Sequence, residues 1–168
     1  WRNSLYELTM DQEIITTILA DTFSLTQFKT RGRLLKTSLL KAFFGGENEG
    51  FIPYPHDLNW LKALPESFYR KFTKDNMYQI FTTLEQEVAK LPVLTVYLTF
   101  ETDNATVFSI GTFTRKMFGP TIMLDVKFDP NLIAGCALVW KGVYRDYSLR
   151  AKIESNKAEI LQNFKKFF

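Results

Sequence analysis

One histidine, His56, and one cysteine, Cys136, are the only side chains of their kind in this chain of 168 residues. That scarcity bounds the chemistry. A nucleophilic triad needs a base within hydrogen-bond reach of its nucleophile. His56 lies between Pro55 and Asp57 in a loop-like stretch, where a surface or cap histidine is the plainer reading. A multi-histidine metal site, a Cys-based zinc cluster and an internal disulfide are all excluded by the counts. Cys136 falls in an apolar run that suits a buried, inert thiol better than a reactive one. There is no GxxxxGK[ST] phosphate loop, and Gly45-Gly46 lacks the preceding strand that a dinucleotide fingerprint requires. The carboxylates are scattered, with no acid/base couple among them. The expectation is a protein without catalytic residues, metal or cofactor. An enzyme built around His56 would need a deep polar pocket holding that residue and a carboxylate.

Charge points the same way. The net charge of +3 is too mild for a phosphate-binding face, so no nucleic-acid partner is expected. Lys29, Arg33 and Lys36 share one helical face at i, i+4 and i+7, with Arg31 and Lys41 nearby. A solvated face is the ordinary reading of such a pattern. The functional one is a dock for an acidic helix or a membrane-proximal surface. No run of about 18 apolar residues is present, so no transmembrane helix is expected.

The elements that carry these residues follow from periodicity. Thr9 to Gln12 has capping-box spacing, and Ile14, Ile15, Ile18 and Leu19 follow at helical period. A second helix is predicted from Leu25 to Phe44, with Phe28, Leu35, Leu39 and Phe43 as its stripe and Gly45-Gly46 as its stop. Gly45 to Pro55 reads as a loop. A short helix is predicted over Asp57 to Leu64, a turn or two over Glu66 to Phe72, and a longer helix over Asp75 to Ala89. Its packing side is Met77, Ile80, Phe81, Leu84 and Val88.

After Leu91-Pro92 the period changes. Val93 to Phe100 is rich in β-branched and aromatic residues and reads as a strand. Thr102-Asp103-Asn104 starts a helix whose packing face is Val107, Ile110, Phe113 and Met117, ended by Gly119-Pro120. Thr121 to Phe128 alternates, with Ile122, Leu124, Val126 and Phe128 inward and Met123, Asp125 and Lys127 outward. Asp129-Pro130-Asn131 is a turn. Gly135 to Trp140 is a third, central strand, Lys141-Gly142 a reversal, and Val143 to Tyr147 a fourth strand. One last helix is predicted from Leu149 to Phe167, with Leu149, Ile153, Ile160 and Phe164 on one face. The fold class expected is α+β: a helical bundle over residues 1–90, then an α/β domain over 91–168 with a four-stranded sheet and two helices.

The segment Asp129 to Ile153, DPNLIAGCALVWKGVYRDYSLRAKI, carries the most specific pattern. It resembles the C-terminal signature of the delta subunit of F-type ATP synthase, called OSCP in mitochondria. That signature reads roughly D-P-x-L-I-G-G, a short strand, a turn, then D-x-S-x-R-x-x-L. Asp129, Pro130, Leu132, Ile133 and Gly135 match the first block. Asp146, Ser148 and Arg150 match the second, with Ile153 where the family has Leu. Ala134 replaces the first glycine of the pair, and the turn glycine, Gly142, falls one position late. The likeness covers about residues 91–168, as in a divergent bacterial form. The helical part matches no family motif. From the residues alone, Gly135 suits a close backbone approach or a bulge, and Ser148 or Asp146 can cap the last helix.

The resemblance implies a non-catalytic stator subunit of a proton-transporting ATP synthase. Its helical domain would grip the N-terminal helices of the alpha subunits, and its C-terminal domain the C-terminal helices of the b-subunit stalk. It would lie at the cytoplasmic face of the bacterial inner membrane, bound there only through the complex. Phe43, Phe44, Phe167 and Phe168 are the candidate contacts. The alternative is a non-enzymatic adaptor domain that binds partner helices in another complex.

Overall fold

The computed structural model describes residues 12–45 and 52–165. The chain divides into two compact units, Trp1–Leu91 and Pro92–Phe168. Helices dominate the first; a mixed sheet with helices makes the second. The α+β class is the one expected.

In the first unit, residues 12–20 form α1. Ile14 and Ile18, one turn apart, are fully buried. The predicted capping box around Thr9 lies outside the described residues. Helix α2 spans Leu25–Phe44, and Ser24 opens it with a capping box shared with Gln27. The Ser24 side chain accepts from Gln27 N, and the Gln27 side chain accepts from Ser24 N at 3.3 Å. Gly45, at φ 74°, closes the helix, and its N–H donates to Lys41 O. Two short helices follow, α3 (Pro55–Ala63) and α4 (Glu66–Tyr69). Then comes α5 (Met77–Ala89), which buries Met77, Ile80, Phe81, Leu84 and Val88 as expected. These helices share one core, in which Leu35, Leu39, Trp60, Phe68 and Phe72 pack with the residues of α1 and α5.

Arg31 departs from the sequence reading. The charge pattern groups it with the surface cations, yet it is buried. Its Nε donates to Asp57 Oδ1 at 3.0 Å, and its Nη1 donates to Asp21 O at 2.7 Å and Thr22 Oγ1 at 3.0 Å. Its guanidinium lies 5.0 Å from the Trp60 ring centre. The spacing Phe28, Arg31, Leu35 puts it on the apolar stripe of α2, where only a satisfied charge can sit.

The second unit is built on β1 (Val93–Leu98), α6 (Asn104–Phe118), β2 (Met123–Phe128), β3 (Cys136–Trp140) and β4 (Val143–Asp146), in the sheet order β2-β1-β3-β4. Strands β1 and β2 are parallel and need the crossover that α6 supplies; the other pairs are antiparallel. Asp103 caps α6 by accepting from Thr106 N at 2.8 Å. Leu94, Val96 and Leu98 form the buried face of β1, joined by Leu124, Val126, Leu138 and Trp140 of its neighbours and by Ile110 of α6.

Four expectations fail in this unit. Met123, expected outward, is fully buried, and Phe128, expected inward, is exposed. Strand β2 is an edge strand, so the alternation is covered at its start and not at its end. Val107 and Ile110 of the expected α6 face do pack inward, but Phe113 and Met117 are exposed, and Gly111 and Thr114 are buried in their place. The last helix is two, α7 (Leu149–Ser155) and α8 (Lys157–Lys165), broken at Asn156. The sheet therefore has three accompanying helices, not two. No helix among the described residues is long and apolar enough to cross a membrane.

Candidate functional site

The segment after β2 is built to reverse the chain tightly. Pro130–Leu132 forms a single turn of 3₁₀ helix, and the Asp129 carboxylate accepts from Asn131 N and Asn131 Nδ2, both at 3.0 Å. Leu132 is buried. Ile133 then takes φ 67°, ψ −57°, and Ala134 N donates back to Leu132 O at 2.8 Å. That bond closes a γ-turn of the rare positive-φ kind, which is strained for any side chain and most of all for a β-branched one.

Gly135 comes next, at φ 89°. A β-carbon there would lie 2.7 Å from Tyr147 O and 3.2 Å from Ser148 Cα. The backbone of the second signature block thus passes directly over Gly135. Two hydrogen bonds hold it there: Tyr147 N donates to Cys136 O at 2.9 Å, and Leu149 N donates to Ala134 O at 2.8 Å. Asp146 accepts from Ser148 N at 2.8 Å, and Ser148 Oγ accepts from Ala151 N at 3.2 Å to cap α7. Hydrogen bonding with Ser148, first its side chain and then its backbone, holds the Asp146 carboxyl below its ordinary range. Arg150 pairs with Glu154 at 3.0 Å. That hydrogen bond and charge raise its pKa, with smaller contributions from Asp129 and Asp146.

Asp129, Pro130, Leu132, Ile133 and Gly135 are therefore brought against Asp146, Ser148 and Arg150 in one clamp. Gly142 is not part of it. It sits at the other end of the β3–β4 hairpin, where Lys141 and Gly142 at φ 50° and 78° make the two-residue reversal. Nothing in the clamp offers a nucleophile beside a base, and its polar groups are spent on caps and turns. Its product is a fixed direction for α7.

That helix leaves an apolar surface. Leu149, Ile153, Ile160 and Leu161 of α7 and α8 are exposed, and so is Ile133 at 61%. The sequence pattern marks Leu149, Ile153 and Ile160 as one apolar face. It does not say whether this chain or another covers them. Of the aromatic contacts expected from sequence, Phe43 is half-buried against the helical core and Phe44 is exposed, with Lys74 Nζ 5.4 Å from its ring centre. Phe167 and Phe168 lie outside the described residues.

His56 does meet a carboxylate, with its Nε2 3.4 Å from Asp57 Oδ1, and its ring stacks on Tyr54. That oxygen already accepts from Arg31. Asp57 belongs to the buried ion pair that joins α2 and α3, and the half-buried His56 lies at its edge.

No family model matches the chain. The chain is similar to the ATP synthase subunit delta of Verminephrobacter eiseniae (strain EF01-2). The two are 30% identical over 108 residues, an alignment that covers 58% of this chain and 59% of that protein. The chain thus spans about three fifths of the length of this relative.

Proposed function

We propose that the chain is a stator subunit of an F-type ATP synthase, a non-catalytic coupling between the catalytic head and the peripheral stalk. The observation that carries this reading is the clamp. The two sequence blocks that resemble the delta-subunit signature, 129–135 and 146–150, meet across Gly135 and fix the start of α7. The similarity to a delta subunit supports the same reading. In this proposal the helical unit holds N-terminal helices of the alpha subunits, and the C-terminal unit holds the C-terminal helices of the b subunits. Both contacts would be apolar helix-in-groove docking. The protein resists rotor torque during proton-driven ATP synthesis and sits at the cytoplasmic face of a bacterial inner membrane, held there through its partners.

The test is a pull-down with the full chain against two peptides from the same genome. One is the N-terminal segment of the alpha subunit, the other the C-terminal segment of the b subunit. Capture by both is expected. Capture by neither would end the stator reading and leave an adaptor in some other complex.

A further inference from the structure

We infer that Asn156 is a joint built into the last helical stretch, about which α8 moves as an arm while the clamp keeps α7 in place. The inference stands apart from the stator reading. The first observation is the crowding on one carbonyl. Lys152 O accepts from Ser155 Oγ and Asn156 Nδ2, both at 3.0 Å, and from Asn156 N at 3.3 Å. A carbonyl has two lone pairs, so three donors compete for it. The longest of the three is the backbone bond that carries the helical ladder into Asn156. Side chains that bond back to a preceding carbonyl in this way loosen and bend helices. Asn156 itself sits at φ −105°, ψ 11°, away from helical values. Ile160 N donates to Asn156 O at 3.0 Å, so regular bonding resumes on the far side.

The second observation is the difference in what holds the two helices. The first turn of α7 is tied down. Ser148 is buried and caps it, and Leu149 N donates to Ala134 O across the clamp. The Arg150–Glu154 pair adds support within α7 at i, i+4. In α8, which has nine residues, every described side chain is exposed. A helix that short is marginal in water without packing to hold it. Moving α7 breaks clamp bonds, whereas moving α8 breaks only what passes through Asn156. The sequence puts its weaker helix formers, Ser155 and Asn156, between stronger ones: Arg150, Ala151 and Lys152 before them, Ala158, Glu159, Leu161 and Gln162 after. A displacement of the far end is therefore taken up at the joint and does not load the clamp.

The experiment uses the full chain, with backbone amide order parameters from NMR relaxation, amide hydrogen exchange and thermal melting. Order parameters of about 0.85 are expected at Ala151 and Lys152, with a step at Asn156 to below about 0.6 in α8. Ser155→Ala combined with Asn156→Ala frees the Lys152 carbonyl. It should raise the α8 values and slow exchange at Leu161 about fivefold, the scale of the helix-propensity gain of two alanines. Asn156→Gly should lower the α8 values further and leave those of Ala151 and the melting temperature unchanged. Three results would overturn the inference. Even values from Ala151 to Leu161 in the unaltered chain would mean one rigid helix. A fall that begins at Leu149 would mean that the clamp does not hold α7. A step at Asn156 that neither variant moves would mean that these side chains do not make the joint.

Discussion

The side chains that matter most here act on backbone. Gly135→Ala would place a methyl group 2.7 Å from Tyr147 O at a φ of 89°, so the clamp must open or the strand must shift. A loss of about 1–3 kcal/mol is expected, as for other enforced backbone strain, and chemical denaturation measures it. Ser148→Ala removes the cap of α7 and should cost about 1 kcal/mol by the same assay. Asp146 gives the clamp a pH dependence whose sign is fixed. Its folded pKa is depressed, so its stabilising contribution is complete above the ordinary aspartate range. The contribution is lost as pH falls through the depressed folded value. Melting curves in that acid window should fall for the unaltered chain and fall less for Asp146→Asn. In the helical unit, Arg31 and Asp57 are both buried. Removing one partner, as in Arg31→Ala, should cost about 3–5 kcal/mol. The double replacement Arg31→Met with Asp57→Leu should cost much less, because no buried charge is left alone.

Among the elements, the β3–β4 hairpin offers a gain. Both turn residues have positive φ, yet the first is Lys141. Asn-Gly is the preferred pair for such a reversal. Lys141→Asn should therefore stabilise the chain by a few tenths of a kcal/mol to about 1 kcal/mol, the scale on which turn residues act, seen as a higher denaturation midpoint. Helices are the most legible elements in the sequence. The bounds of α2, the buried side of α5 and the cap at Asp103 can all be read from apolar period and capping chemistry. Strand limits are readable to within two residues from β-branched content. Coverage is not legible. Periodicity marks the α6 stripe that ends at Met117 and the face of Leu149 and Ile153, but Phe113 and Met117 of the first and both residues of the second are exposed. Apolar period marks a face but does not say whether anything covers it. Arg31 is missed for a related reason: its charge outweighs its position on the stripe between Phe28 and Leu35. The clamp is visible only as a pattern of residue types. Its chemistry is a meeting of two backbone segments, and side-chain types carry little of that.

At the scale of the molecule, the two compact units predict separable unfolding. Calorimetry should show two transitions, with Arg31→Ala lowering one and Gly135→Ala the other, and the two losses should add in the double variant. A single transition shifted by both substitutions would mean that the units unfold together. The clamp also has a practical consequence. Cys136, the one thiol in the sequence, is half-buried, and its own carbonyl takes the Tyr147 N–H. A maleimide can reach that sulfur more readily when this contact parts. The alkylation rate of the native protein then becomes a clock for local opening, one that Gly135→Ala should quicken.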